Sequence, residues 1–119
     1  SYTSFEYSEI ELNSNKLTIN SEITVSVNVK NTGKVKGKEV VQMYIKDHFA
    51  STTRPVKELK GFKLIELEPG ESRTISFTIN ADLLKFYSAR KKWESEPGKF
   101  SVFIGSDSAT KRKAIFDLK

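Results

Sequence analysis

Cysteine is absent from the 119-residue sequence, and histidine, methionine and tryptophan each occur once. Without cysteine, the chain has no disulfide, no thiol nucleophile and no thiolate metal ligand. With His48 as its single histidine, one copy of the chain cannot build a multi-histidine metal site. The composition therefore predicts no metal and no cofactor.

Long apolar runs and nucleophile motifs are also missing. No stretch approaches the roughly 18 apolar residues that a membrane-spanning helix requires, so we expect no membrane partner. The sequence has no glycine-rich phosphate loop and no Gly-x-Ser-x-Gly elbow. His48 directly follows Asp47, and adjacent side chains of an extended strand point to opposite faces, which disfavours a histidine–aspartate pair.

Two pairs of glutamates are the nearest approach to an acid–base site. Glu9 and Glu11, like Glu66 and Glu68, are two residues apart, so each pair shares one face of a strand. This spacing is typical of the solvent face of an edge strand, whereas glycoside hydrolysis requires two carboxyl groups that flank a substrate. We therefore predict no catalytic residue in this chain.

What recurs is alternation of apolar and polar residues, which predicts strands, while helical periodicity is nearly absent. Asn31-Thr32-Gly33 predicts a turn with Gly33 at positive φ, 68–71 and 97–98 predict further turns, and 80–86 predicts one helical turn. One domain of about seven strands indicates an antiparallel, immunoglobulin-like sandwich, because two facing sheets bury every apolar face. The predicted strands are 5–12, with a register slip near Ser8, and 23–29, 41–45, 58–67, 75–79, 100–104 and 114–118.

The charge is basic, with 20 Lys+Arg against 15 Asp+Glu, a net charge of +5. The basic residues concentrate at alternate positions from Lys34 to Lys38 and in the triplets 90–92 and 111–113. Lysines at loops and sheet edges prevent edge-to-edge pairing, which is our interpretation of these clusters. An acidic polymer or a membrane surface is the alternative, but no motif supports a nucleic-acid partner.

Tyr87 and Trp93 flank the basic triplet 90–92, close to a predicted turn. Exposed aromatic rings can stack on sugar rings, and we consider these two residues as a possible sugar-stacking pair. The alternative is that Trp93 fills the core or an inter-domain contact, as a lone tryptophan often does in a sandwich.

Several stretches resemble the fibronectin type III-like domain at the C-terminus of glycoside hydrolase family 3 enzymes, which include β-glucosidases and β-xylosidases. The most specific are 39–47, 50–63 and 67–72, with the sequences EVVQMYIKD, ASTTRPVKELKGFK and LEPGES. Asp82-Leu83, Phe86-Tyr87, Trp93 and 97–100 also match the pattern. His48 and the segment 88–92 depart from it.

The resemblance implies that residues 1–119 are a single fibronectin type III-like domain, a fragment of a larger retaining glycosidase that is periplasmic or secreted. The catalytic aspartate and glutamate would lie in earlier domains, which would be the partners of this chain. Its role would be to stabilise and orient those catalytic domains. The alternative is an independent carbohydrate-binding module that recognises oligo- or polysaccharides through Trp93 and Tyr87.

The segment 47–63 is our candidate for docking onto the catalytic domains. The second face of the strand at 40–46 carries Val40 and Tyr44 and is less polar than a solvated face, and Phe49 follows in the loop. Pro55 favours an extended Arg54, whose guanidinium has five donors for carboxylates or carbonyls of another domain. Phe49, Arg54, Pro55 and Tyr44 are thus predicted docking residues. An internal salt bridge from Arg54 to Glu58 or Asp47 is the alternative.

Overall fold

The structure, a computed structural model, describes residues 3–48 and 57–119. Within these residues the chain forms eleven strands and one short 3-10 helix, Ala81–Leu84. The strands are β1 Phe5–Tyr7, β2 Glu11–Leu12, β3 Lys16–Leu17, β4 Glu22–Asn31, β5 Gly37–Asp47, β6 Lys57–Leu67, β7 Ser72–Asn80, β8 Phe86–Tyr87, β9 Trp93–Glu94, β10 Gly98–Gly105 and β11 Lys113–Leu118.

The strands form two sheets and a separate hairpin. In the first sheet, β4 is central, with β1 and β2 along one side and β7 along the other. The second sheet has the order β3-β11-β10-β5-β6, and β8 pairs with β9 in the hairpin. All pairs are antiparallel except β3 with β11, which are parallel. The expected all-β, fibronectin type III-like sandwich is confirmed, with this one parallel pair as an addition.

The core lies between the inner faces of the two sheets, where the predicted alternation is confirmed. Ile23, Val25, Val27 and Val29 of β4 are all buried, while Thr24 between them is exposed. Each fully buried aliphatic or aromatic side chain contributes about 1.5–3 kcal/mol. The second sheet faces β4 with Val41, Met43, Ile45, Phe100, Val102, Ile104, Phe116 and Leu118.

The register changes at two points. Tyr7 is opposite Val29, but Glu11, four residues later, is opposite Ser26, only three residues earlier in β4. The register slip predicted near Ser8 is therefore present and divides the first strand into β1 and β2. In β6, Gly61 is opposite Met43 and Leu59 is opposite Tyr44, so the intervening Lys60 forms a bulge. The segment 58–67 thus lies in one strand with an irregularity.

Asn31, at the end of β4, is completely buried, and both the oxygen and the nitrogen of its side-chain amide form hydrogen bonds. Its Oδ1 accepts hydrogen bonds from the Thr3 hydroxyl at 2.7 Å and the Gly33 N–H at 2.9 Å. Its Nδ2 donates to the carbonyls of Val35 and Leu67, both at 2.9 Å. Asn31 therefore joins the loop before β5 to the segment before β1 and the end of β6.

The expectation that Gly33 has positive φ was wrong, because Gly70 and Gly98 are the only described glycines with positive φ. Gly33 is needed for space, since a Cβ there would lie 1.7 Å from the Thr3 hydroxyl oxygen. The predicted turn at 68–71 is present, with Gly70 at φ 79°. The helical turn is also confirmed, and Asn80 caps it by accepting the Leu83 N–H at 2.9 Å.

Candidate functional site

The outward face of the second sheet exposes a group of large apolar side chains, which we call the outer patch. Its members lie along two paired strands, β5 and β6. Val40, Gln42 and Tyr44, at every second position of β5, are opposite Leu64, Phe62 and Leu59 of β6. Paired residues of antiparallel strands point to the same face. The outer patch consists of Val40, Leu59, Phe62 and Leu64, with exposed fractions of 40%, 50%, 66% and 63%.

Only part of the outer patch was recognised from the sequence. The apolar character of Val40 and Tyr44 was noticed, but Leu59, Phe62 and Leu64 were missed. Phe62 and Leu64 do alternate with Lys63, which is the available signal. The bulge at Lys60, however, sets the face on which Leu59 lies, and this requires the register.

Tyr44 itself is buried beside the outer patch. Its hydroxyl donates to Gln42, and the Lys57 ammonium lies 4.0 Å from the centre of the neighbouring Phe103 ring. Lys57 also donates to the carbonyls of Ser108 and Thr110, both at 2.8 Å. Tyr44 thus lies on the same face as the outer patch, but its side chain is covered by its neighbours. The other predicted docking residues, Phe49, Arg54 and Pro55, lie outside the described residues.

A second exposed apolar feature is the hairpin of β8 and β9, residues 86–94, which we call the aromatic hairpin. Tyr87 is directly opposite Trp93, as paired residues of the two strands. Their ring centres are 5.9 Å apart and the planes are inclined by 68°, an edge-to-face contact. Both rings are exposed, Tyr87 at 55% and Trp93 at 69%. The structure thus brings together the two residues that were predicted as a sugar-stacking pair.

Polar contacts hold the turn of the aromatic hairpin. The Arg90 guanidinium donates to both carboxylate oxygens of Glu94, at 2.7 and 3.2 Å, and the Ser88 hydroxyl donates to the same carboxylate. Backbone hydrogen bonds of 2.9 Å link Ser88 with Lys91 and Lys92. Lys91 has φ 60°, the left-handed region that favours glycine. Sequence reasoning missed the roles of Ser88 and Glu94 because they depend on the turn geometry.

These contacts also set the charge of the hairpin. The hydrogen bonds from Arg90 and then from Ser88 lower the pKa of Glu94 below its ordinary value. The same pair raises the pKa of Arg90. Glu94 is therefore ionised at neutral pH and offsets one of the three positive charges of the triplet 90–92.

An open pocket of about 440 Å³ lies beside β1 and the turn between β10 and β11. Tyr7 lines it and donates its hydroxyl to Glu39 at 2.7 Å. Burial, followed by that hydrogen bond, raises the pKa of the Tyr7 hydroxyl. The Arg112 guanidinium lies 5.6 Å from the centre of the Tyr7 ring. Because the Tyr7 hydroxyl is directed to Glu39 and Arg112 covers its ring, we assign this cluster to joining the two sheets.

The structure places the acidic pairs singled out from sequence on the exposed surface. Glu66 and Glu68 both lie near the Lys36 ammonium, at 3.8 and 3.6 Å. Such exposed ion pairs contribute little, and the glutamates share a cation instead of flanking a cleft. Glu9 and Glu11 are exposed and line a small open groove of about 120 Å³ beside β4. In the part of the chain that the structure describes, no group of three or more His, Asp or Glu could hold a metal ion.

His48 lies at the end of β5 with its Nε2 2.6 Å from the Ser101 hydroxyl. Partial burial, then the charges of Lys46, Lys99 and Lys113, lower its pKa below the ordinary value. Ser101 is completely buried, so its oxygen is closed to a substrate. The contact is best explained as a structural hydrogen bond.

Across residues 3–48 and 57–119, none of the helical segments has the length and apolar character of a membrane span.

The fold and these surfaces define a small β-sandwich domain, and comparison with known proteins supplies its family. Residues 39–108 match the family model of the fibronectin type III-like domain. A periplasmic β-glucosidase of Salmonella typhimurium is 49% identical over 99% of this chain, and a putative β-xylosidase of Formosa agariphila is 51% identical over all of it. The structure of a Listeria innocua β-glucosidase in complex with glucose superimposes on 98% of the chain with a TM-score of 0.90 at 34% identity.

The chain therefore belongs to the fibronectin type III-like domain family, in the form found in family 3 β-glucosidases and β-xylosidases. The resemblance noted from sequence is confirmed. The chain spans only 15% and 16% of the two relatives and 16% of the Listeria innocua protein.

Proposed function

We propose that this chain is a non-catalytic accessory domain of a family 3 glycoside hydrolase of the β-glucosidase or β-xylosidase type. The outer patch would dock onto the remainder of the same polypeptide and so stabilise and orient its catalytic domains. The observation that carries the proposal is the exposure of four large apolar side chains in register on β5 and β6. Contiguous exposed apolar side chains of this kind mark protein interaction sites.

The relatives support the remainder of the polypeptide as the occupant of the outer patch. About five-sixths of their length lies outside the region that this chain matches, since the chain covers 15–16% of them. A glycosidase needs two carboxyl groups that flank the substrate, one of them with a raised pKa, whereas Glu9, Glu11, Glu66 and Glu68 are all solvent-exposed. Catalysis would therefore take place in that larger part.

The charges around the outer patch favour a different partner over a second copy of this chain. At one end of its face, Lys46 of β5 is opposite Lys57, while at the other end Lys38 is opposite Glu66. Two copies joined through their Lys46 and Lys57 ends would bring like charges together, which opposes self-association in that arrangement. An acidic surface with an apolar centre would be complementary.

A double variant tests docking, in which Phe62 and Leu64 are both replaced by serine. In the full-length glycosidase that contains this chain, we expect a loss of about 3–6 kcal/mol of stabilisation between domains, because two side chains lose their burial. In the 119-residue chain alone, the same variant should change the free energy of unfolding by no more than about 0.5 kcal/mol. Calorimetric unfolding of both forms gives the two values.

Ile19→Ser is the matched control, because Ile19 is 67% exposed but lies outside the outer patch, between β3 and β4. It should leave both forms unchanged. Equal effects of the double variant on the chain and on the full-length enzyme would refute docking through this face. Turnover of an aryl glucoside by the 119-residue chain would refute the non-catalytic role.

A further inference from the structure

We propose that the aromatic hairpin is a binding site for a β-linked saccharide, with Trp93 as the stacking ring and Tyr87 as its neighbour. The choice of ligand rests on the proposed function, since the substrate of a glycosidase would be the nearby saccharide. The site goes beyond docking because it lies on a separate element. Among the described residues, β8 and β9 pair only with each other, whereas the outer patch is on β5 and β6.

The first support is the exposure of the single tryptophan of the chain. Burying an aromatic side chain is strongly favourable, and large rings left in water mark functional surfaces. Trp93 is 69% exposed and belongs neither to the hydrophobic core nor to the partly buried residues that pack against it. Its position is therefore not explained by the packing of the sandwich.

The second support is the geometry of the ring pair. In an edge-to-face pair, the edge of one ring contacts one face of the other, so further ring faces remain open. A β-linked pyranose presents axial C–H bonds on its faces and hydroxyl groups around its rim. Such a ring can cover an open aromatic face with its C–H bonds while its hydroxyl groups stay in water.

The third support is that the hairpin is held in place before a ligand arrives. The carboxylate of Glu94 receives hydrogen bonds from Arg90 and Ser88 directly beside Trp93. Backbone hydrogen bonds of 2.9 Å, from the Ser88 N–H to the Lys92 carbonyl and from the Lys91 N–H to the Ser88 carbonyl, close the turn. A rigid aromatic surface loses little conformational entropy on binding, which favours recognition.

The cations of the hairpin make salt dependence the property that distinguishes a neutral ligand from a polyanion. Arg90 is paired with Glu94, and Lys91 and Lys92 are the other two cations of the triplet 90–92. Binding of a nucleic acid or another polyanion by such cations weakens steeply as salt increases. Stacking of a neutral saccharide does not involve counterion release, and its affinity should change little with salt.

Isothermal calorimetry of the 119-residue chain with cellohexaose and with xylohexaose tests the proposal at low and high salt. We expect weak binding of at least one of them that is insensitive to salt. Trp93→Ala should weaken that binding about tenfold, in line with the value of a well-placed aromatic contact. Trp93→Phe should restore part of the affinity, because it keeps a ring at this position.

Phe62→Ala is the matched control, since Phe62 is an aromatic residue of the outer patch with nearly the same exposure, 66%, as Trp93. It should leave saccharide affinity unchanged. Absence of binding to both hexasaccharides, equal affinity of Trp93→Ala, or loss of binding at a salt concentration that leaves the Trp93 fluorescence of the free chain unchanged would each overturn the proposal. Docking is judged separately, by the unfolding of the Phe62 and Leu64 double variant, so one proposal can fail without the other.

Discussion

The sandwich and the aromatic hairpin are stabilised by different interactions. In the sandwich, apolar side chains of two sheets bury one another, and polar groups such as the Asn31 amide are completely enclosed. In the hairpin, the ring pair is exposed, and the turn is held by the buried Ser88 and by the ion pair of the exposed Arg90 with the partly buried Glu94. Solvent-exposed ion pairs are weak and respond to salt and pH, whereas apolar burial does not depend on charge.

This difference agrees with a role of the sandwich in stability and with the proposed role of the hairpin in saccharide binding. A domain that docks onto a larger enzyme needs a body that keeps its shape. A site that binds a ligand needs exposed groups, and it can be maintained by contacts that contribute little to global stability. Substitutions in the two regions should therefore differ in their effect on the free energy of unfolding.

The largest loss in the free energy of unfolding is expected for Phe116→Ala. Phe116 is completely buried and stacks on Phe100 with ring centres 5.5 Å apart. Removing the ring should cost about 3–5 kcal/mol, through lost burial and the cavity that remains. Urea denaturation of the 119-residue chain measures this loss. Trp93→Ala, which removes a larger ring from the hairpin, should change the same quantity by no more than about 0.5 kcal/mol. A comparable loss for both variants would erase the distinction between the two regions.

A smaller loss in the free energy of unfolding is expected for Asn31→Ala, which tests how much a buried polar network contributes to the sandwich. The substitution leaves the Val35 and Leu67 carbonyls without their donor and the Gly33 N–H without its acceptor. Leaving buried groups unsatisfied should cost about 2–3 kcal/mol, measured by the same denaturation.

Asn28→Ala is the control for Asn31→Ala, because Asn28 lies on the same strand with its side chain half-buried. It should cost no more than about 0.5 kcal/mol. If the two variants lose the same stability, the enclosed amide network of Asn31 contributes nothing specific.

The sandwich could be predicted from sequence because burial imposes a regular pattern. Ile23 to Val29 in β4 alternate as a half-buried strand requires, and Phe100, Val102 and Ile104 form one face of β10, which is buried on both faces; both strands were found. Even the slip near Ser8 was visible as a change of phase. The short β3 was not predicted, since two residues carry no period.

The candidate sites were less predictable because they depend on three-dimensional register and local turns. The outer patch needs the bulge at Lys60, which decides which β6 residues share a face with Val40. The pairing of Tyr87 with Trp93 needs a hairpin whose strands are only two residues long. Glu94 was not singled out, because its role arises from Arg90 and Ser88 folding back at the turn.

The smallest and most local effect is expected when Glu94 is protonated. Its pKa is lowered in the folded hairpin, so the folded state binds fewer protons than an open hairpin as the pH falls below about 4.5, the ordinary value of a glutamate. The contribution of Glu94 is thus complete at neutral pH and is lost as the pH falls through the lowered pKa. Trp93 is the single tryptophan, so its fluorescence reports this opening directly.

We expect a change in Trp93 fluorescence in that acid range while the far-ultraviolet circular dichroism of the sandwich stays constant. Glu94→Gln should show the acid form of the signal already at neutral pH and no further transition. Glu71→Gln is the control, because the pKa of Glu71 is also lowered, first by the Glu68 backbone N–H, but it lies in the turn before β7. Its acid transition at Trp93 should match that of the unmodified chain. A transition in which fluorescence and circular dichroism move together would instead show that the hairpin and the sandwich unfold as one unit.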